Sequence, residues 1–256
     1  VPWDPAQYLK FGDHRLRPAL DLLGRVPTEE PTEVYDLGAG AGNVTRLLRK
    51  RWPGAHVTGV DDSPEMLAQA KAAEPSATWQ LADLATWAPS RPADVIYSNA
   101  ALQWVDDHRR LFPALLDVLA PGGTLAVQMP RNFAAPSHML IADAARSGPW
   151  CGKLEPLLRR APVADPSFYH DLLAPLASSL DIWETEYLHV LGGADPVKEW
   201  VKGTWLRPLL DALDEAERPA FERRYAELLR VPYPPRADGC TLFPFRRIFL
   251  VATARS

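Results

Sequence analysis

Between residues 33 and 130 the apolar positions keep changing period, from short runs that suit strands to stripes three and four apart that suit helices. Val34-Tyr35-Asp36-Leu37 reads as a first strand and Gly38 to Gly42 as a tight turn, followed by a helix with Val44, Leu47 and Leu48 on one face. His56 to Val60 is a second strand. Ser63-Pro64 then opens a helix as N-cap and first-turn proline, with Met66, Leu67 and Ala70 inward. Thr78 to Leu81 and Asp94 to Ser98 read as the third and fourth strands. The spacing of Leu111, Leu115 and Leu119 predicts a helix that stops at Pro121-Gly122-Gly123, and Thr124 to Met129 is a fifth strand, apolar enough to be buried on both faces. Strands alternating with helices in this way predict an α/β fold, a Rossmann-like parallel sheet with helices on both faces.

Beyond residue 130 the alternation weakens. A proline-punctuated stretch runs to Ser179, Asp181 to Leu191 reads as a strand, and residues 195–230 as two or three helices, the last with Phe221, Tyr225, Leu228 and Leu229 on one face. Arg247 to Ala252 closes the chain as a strand. The expected organisation is an N-terminal helical cover segment at 1–30 and an α/β core at 31–130. Helical insertions at 131–180 and 193–245 then form a substrate cover, and strands at 181–192 and 246–256 complete the sheet.

Bulk properties narrow the function classes. The formal net charge of −4 argues against a nucleic-acid partner, which ordinarily meets a basic surface. No apolar run is long enough to span a bilayer, and two cysteines form neither a disulfide framework nor a metal-type spacing. The six histidines show no ligand spacing either, so no metal site is expected. These features fit a cytoplasmic protein without membrane partners.

The strongest chemical signal is Asp36-Leu37-Gly38-Ala39-Gly40-Ala41-Gly42-Asn43, set between a strand and a helix. Gly38, Gly40 and Gly42 let the backbone turn sharply and approach a ligand closely. The dinucleotide fingerprint needs glycine at position 43, where this chain has asparagine, and Asp36 precedes the loop, where it can meet a cationic amino end. Both details favour S-adenosylmethionine over NAD. Asp61, in Gly59-Val60-Asp61-Asp62, is placed to accept from the ribose hydroxyls, with Asp62 the competing carboxylate. Met66 can lie against the adenine, and Asp83, in Ala82-Asp83-Leu84, can accept from its amino group. Asn99 and Ala100, in Ser98-Asn99-Ala100-Ala101-Leu102-Gln103-Trp104, follow the fourth strand at the switch point, bordering cofactor and acceptor. All four features fall at carboxyl ends of strands.

On these residues the chain resembles class I methyltransferases, and among them the trans-aconitate 2-methyltransferase family over nearly its full length. The resemblance is carried by Trp3-Asp4-Pro5, Tyr8-Leu9, Arg17-Pro18-Ala19, the glycine loop with Asn43, Arg51-Trp52-Pro53, and Asp61 with Ser63-Pro64 and Met66. It continues through Asn99-Ala100, Leu102-Gln103-Trp104, Leu125 to Pro130, Asp181-Ile182-Trp183, Leu206-Arg207-Pro208, and Phe249 with Val251-Ala252-Thr253. The loop reads Gly-Ala-Gly-Ala-Gly where the family often has Gly-Cys-Gly-Pro-Gly, and residues 146–166 carry few family landmarks. The resemblance implies methyl transfer from S-adenosyl-L-methionine to a carboxylate of trans-aconitate, leaving S-adenosyl-L-homocysteine and a monomethyl ester.

A carboxylate is already an anion at neutral pH, so the reaction calls for alignment and a dry pocket, and no catalytic base is assigned. The other carboxylates of such an acid need cationic partners, and the planar fork of arginine suits them. Arg207 and Arg247 are the candidates, with Arg246 directed to the opposite face of the closing strand. Trp104, Asn132, His138, Tyr169 and Trp200 are the further candidates for lining the acceptor pocket, and His189 is read as a core histidine. In the N-terminal segment Tyr8 and Arg15, or Arg17, can cap the methionine end of the cofactor. The expected partner is a small-molecule carboxylate, and the expected assembly a monomer or homodimer. Three alternatives stand beside this reading: a methyltransferase acting on a carrier-bound malonyl-type carboxylate, an NAD-dependent oxidoreductase, and a nucleotide-binding module without catalysis.

Overall fold

The computed structural model describes residues 12–256, with backbone only for 12–15. The chain divides into two compact units. Among the described residues the first, the sheet unit, comprises 13–130, 162–185 and 248–256, and the second comprises 131–161 and 186–247. Relative to the expected boundaries, residues 13–30 and 162–180 cluster with the sheet rather than with the cover.

Among the described residues seven strands form one sheet in the order β3-β2-β1-β4-β5-β7-β6. They are β1 (Glu33–Leu37), β2 (His56–Asp61), β3 (Thr78–Leu81), β4 (Ala93–Asn99), β5 (Leu119–Pro130), β6 (Ala177–Leu191) and β7 (Thr241–Ala254). The β3-β2-β1-β4-β5 run is parallel throughout, and the order reverses direction between β1 and β4. Every residue of β1 is buried, as is Gly123-flanking Thr124 through Met129 of β5, which requires cover on both faces of the sheet. The cover comes from the helices α1 (Gly12–Leu23), α2 (Asn43–Arg51), α3 (Pro64–Ala73) and α4 (His108–Asp117). The Rossmann-like α/β architecture expected from the sequence is present.

The helix expected to run through Leu119 ends at Asp117, and Leu119 begins β5 instead, paired with Ala93. The closing strand begins at Thr241, so Arg247 lies in its middle rather than at its start. Tyr169, expected to line the acceptor pocket, belongs to the core of the sheet unit. On α7 (Pro166–Leu173) its ring packs against Phe112 and Phe168, and its hydroxyl meets His108 Nδ1 at 2.7 Å. It is fully buried.

The second unit has its own core. It is built from α5 (Pro136–Arg146), α6 (Cys151–Leu154), α8 (Pro196–Lys202), α9 (Arg207–Asp211), α10 (Glu217–Leu229) and the neighbouring segments of β6 and β7. Trp150, Phe221, Tyr225, Phe243 and Phe245 fill it. Phe221, Tyr225 and Leu229 face this core from α10, as their spacing predicts. Trp200, a candidate for the acceptor pocket, stacks on His189 with ring centroids 4.6 Å apart and packs against Phe243 and Phe245.

Candidate functional site

The glycine loop is shaped by its neighbours. Gly38, Gly40 and Gly42 all have positive φ, at 76°, 54° and 79°. Gly38 and Ala39 both donate their N–H to the Val60 carbonyl, at 2.8 and 3.0 Å, tying the loop to the end of β2. The three glycines are glycine for different reasons. A Cβ on Gly38 would stand 2.0 Å from Ala101 Cβ, and one on Gly42 would stand 2.6 Å from the ring of Trp79. At Gly40 a Cβ would meet nothing within 4 Å among the described residues, which leaves the room that close approach by a ligand requires.

Asp36 lies beneath the loop, buried, with Oδ2 accepting from Thr45 Oγ1 at 2.6 Å. Burial pushes its carboxyl up to about 7 against the opposing bond from Thr45. The sign of the resulting stability effect follows directly. Between the ordinary value of 3.8 and about 7 the folded chain holds a proton that the unfolded chain has released. Stability from this group is therefore full below that window and declines as pH rises through it. Asp36→Asn is expected to flatten the difference, so that variant and parent diverge progressively from pH 4 to 7 in denaturant titrations; parallel curves would remove the assignment.

Asp61 ends β2 with both carboxylate oxygens engaged by main-chain donors: Gly40 N at 2.8 Å on Oδ2 and Ser63 N at 3.0 Å on Oδ1. Each oxygen keeps a second lone pair, so the carboxylate holds the loop in place and can still accept from a ligand. Burial raises its pKa and the two N–H bonds counter this. Asp62 beside it is exposed. Ser63 caps α3, its hydroxyl accepting from Met66 N at 3.2 Å, and Met66 itself is buried. Leu84 borders the loop, 3.8 Å from the Cβ position of Gly38. Asp83 is exposed and its Oδ1 accepts from Ala85 N at 2.9 Å. Asn43 opens α2 and accepts from Arg46.

Across the switch point, Asn99 ends β4 and Ala100 adopts a positive φ of 56°, its N–H donating to the Gln128 carbonyl at 2.9 Å. Trp104 lies in the following short turn, Leu102–Trp104, and is exposed. The structure thus brings Gly38, Gly40, Asp61, Leu84, Asn99 and Ala100 to one end of the parallel strands. Tyr8 lies outside the described residues, as does the side chain of Arg15; Arg17 is exposed on α1.

The remaining candidates lie in the second unit, and several adjoin one another. Arg246 N donates to Asn132 Oδ1 at 3.3 Å, which fixes the orientation of that amide. Asn132 Nδ2 therefore donates to Ser137 Oγ at 3.2 Å, and Ser137 Oγ lies 3.1 Å from His138 Nδ1. Burial beside Phe133 and Trp205 lowers the His138 pKa to about 4, so it is neutral at physiological pH. Arg247 is buried on β7, its guanidinium 4.8 Å from the Phe245 ring, while Arg246 is exposed, the alternation expected of a strand. Arg207 opens α9, partly exposed, with Asp211 3.9 Å away.

Sequence reasoning missed Trp79, which occupies the space that Gly42 and Gly59 leave open, and Gln103, a buried amide inside the Ala100–Trp104 segment. The signal for Gln103 was a polar residue between two apolar ones in a buried stretch. Trp79 had no local signal, since its contacts come from other strands.

Comparison with known proteins agrees with this geometry. Residues 34–123 match a family described as a methyltransferase domain. Phosphoethanolamine N-methyltransferase 2 of Haemonchus contortus, solved with phosphomonomethylethanolamine and S-adenosylhomocysteine, superposes with a TM-score of 0.56 at 16% identity, covering 94% of this chain and 53% of that one. The YcgJ protein of Bacillus subtilis superposes with a TM-score of 0.60 at 15% identity, covering 94% and 99%. These likenesses establish the fold. Sequence similarity is far higher to a trans-aconitate 2-methyltransferase of Azoarcus sp. (strain BH72), 50% identical over 98% of both chains. That of Streptomyces avermitilis is 51% identical over 98% of this chain and 96% of its own. With half of all positions identical along nearly the whole of both chains, the protein belongs to the trans-aconitate 2-methyltransferase family.

Proposed function

We propose that the protein esterifies one carboxylate of a small polycarboxylic acid, trans-aconitate, using S-adenosylmethionine. The observation that carries this reading is the near-half identity to trans-aconitate 2-methyltransferases along almost the entire chain, including the second unit where acceptor residues are assigned. The residues suit the cofactor: the open space above Gly40 admits a ligand against the backbone, and buried amide oxygens stand unpartnered at the end of β4.

S-adenosylmethionine, when bound, would supply a methyl group on a sulfonium to one carboxylate oxygen, giving S-adenosylhomocysteine and a monomethyl ester that keeps its other carboxylates. Asp61 accepts from the ribose hydroxyls, Asp62 being too exposed to compete. Met66 and Leu84 flank the adenine, and Asp83 accepts from its amino group. Gly38 to Asn43 carry the backbone around the ligand, Asp36 supplies negative charge beneath the loop, and Tyr8 and Arg15 cap the methionine end. Arg247 and Arg207 hold the carboxylates that do not react, with Asn132, His138 and Trp104 completing the acceptor contacts. No residue has to remove a proton, so the rate comes from alignment and exclusion of water. His138, neutral at physiological pH, adds no competing cation.

The reading places the protein in the cytoplasm as a monomer or homodimer without nucleic-acid or membrane partners. Both cysteines are unpaired, which agrees with a reducing compartment, and no helix among the described residues is long and apolar enough to cross a membrane. The test is a mass-spectrometric assay with S-adenosylmethionine and trans-aconitate, with cis-aconitate, citrate and isopropylmalate alongside. The expected result is a single methyl ester from trans-aconitate in preference to the others. Intact cofactor binding with no acid methylated would overturn the acceptor assignment.

A further inference from the structure

The segment after β4 lies directly against the glycine loop, as the clash between a Gly38 Cβ and Ala101 demonstrates. Within that segment Gln103 is 6% exposed. Its Nε2 donates to the Ala100 carbonyl at 2.7 Å, and since a carbonyl only accepts, this bond decides which end of the amide is nitrogen. The other end, Oε1, is buried with no hydrogen-bond partner among the described residues. Asn99 Oδ1, at the end of the same strand, is in the same condition. Buried amide oxygens are ordinarily paired, so two left unpaired at one strand end point to a donor that comes from outside the chain.

We propose that Gln103 Oε1, with Asn99 Oδ1, accepts hydrogen bonds from the ammonium group at the methionine end of S-adenosylmethionine. The inference rests on the cofactor reading above and deepens it. An amide oxygen repels a carboxylate, so these atoms do not bind the acceptor acid; they take an N–H or O–H donor. The sheet order selects among the donors of the cofactor. Asp61 and Asp83, assigned to ribose and adenine, follow β2 and β3 on one side of the glycine loop, whereas Gln103 follows β4 on the other. The donor left for that side is the ammonium, with three N–H bonds to give.

The acceptor is held ready. His108 Nε2 lies 2.9 Å from the Leu102 carbonyl, and its Nδ1 lies 2.7 Å from the Tyr169 hydroxyl, which in turn accepts from Ala164 N at 3.3 Å. The Tyr169 proton therefore goes to Nδ1, and a neutral His108 donates to Leu102. This chain pins the turn that carries Gln103 to α4 and α7. The Ala100 and Leu102 carbonyls are both satisfied from within, which leaves Oε1 as an open acceptor.

The experiment compares two compounds by calorimetry on the full chain: S-adenosylhomocysteine, which has the ammonium, and 5′-methylthioadenosine, which keeps the nucleoside and lacks the amino-acid part. Gln103→Leu is expected to weaken S-adenosylhomocysteine about ten- to hundredfold, the loss typical of a buried charged hydrogen bond, and to leave 5′-methylthioadenosine unchanged. Retained nucleoside affinity also shows that the variant is folded, and Gln103→Met repeats the test with a more adaptable side chain. Equal weakening of both compounds, or of neither, overturns the assignment. If the unaltered chain binds neither compound, the cofactor reading itself falls, and this assignment with it.

Discussion

Gly38→Ala is expected to abolish cofactor binding and to destabilise the protein strongly, whereas Gly40→Ala, two residues on, costs only about 1 kcal/mol of stability and still loses the ligand. The contrast comes from what surrounds each backbone. At Gly38 φ is 76° and the added methyl would stand 2.0 Å from Ala101 Cβ, far inside contact distance, with Leu84 behind it. The clash cannot be relieved by a side-chain rotation, because Ala101 has none. Either the loop after β1 or the segment after β4 has to move. Overpacking of this kind costs about 1–3 kcal/mol, and the left-handed backbone adds about 1 kcal/mol for a residue with a Cβ. The summed loss, about 2–4 kcal/mol, is a large fraction of the stability of a typical domain. At Gly40 the φ of 54° carries the same backbone cost, but among the described residues nothing lies within 4 Å of the new methyl. Its damage falls on whatever approaches from outside. Chemical denaturation and calorimetry with S-adenosylhomocysteine separate the two effects. A Gly40→Ala variant that binds normally would mean that the ligand does not approach the loop at this point.

That contrast also marks where sequence reasoning ran out. The order of strands, the position of the glycine loop and the placement of acidic residues at strand ends were all legible, because each is a local pattern of period, turn chemistry and spacing. The reason for a particular glycine was not, since Ala101 and Trp79 reach the loop from β4 and β3, and their contacts depend on register. The misplaced end of α4 has a local cause. Leu111, Leu115 and Leu119 keep a helical spacing, yet the chain leaves the helix at Asp117 so that Leu119 can pair with Ala93, with an irregularity in the pairing between Ala93 and Val95. Proline at position 244 and the two arginines that follow hid the first half of β7. The aromatic candidates were the least legible. Tyr169 and Trp200 carry polar atoms and suit a pocket wall as well as a core, and their packing against His108 and His189 comes from residues distant in sequence.

The arginines were more legible, and Arg247 carries the largest expected effect on the acceptor. Arg247 is 4% exposed on its strand, with its neighbour Arg246 turned to solvent. Its position over the Phe245 ring at 4.8 Å holds the planar fork in one orientation, and the bond from Arg246 N to Asn132 ties the same stretch of β7 to the Asn132–Ser137–His138 chain. Arg247→Met keeps the length and apolar stem and removes the charge. Removing one buried charge from its surroundings destabilises, so chemical denaturation first establishes that the variant is folded. Loss of a buried, hydrogen-bonded charge pair with substrate costs about 2–5 kcal/mol, so the KM for trans-aconitate is expected to rise by about thirtyfold or more. S-adenosylhomocysteine affinity is expected to stay unchanged. Arg247→Lys retains the charge but not the two-pronged geometry or the ring contact, and falls between the two. Steady-state kinetics with both substrates varied decides the matter. A KM for the acid that ignores Arg247→Met while rising for Arg207→Ala transfers the clamp to α9, where the Asp211 carboxylate 3.9 Å away already competes for the guanidinium. A rise in the cofactor KM alone would put Arg247 outside the acceptor site altogether.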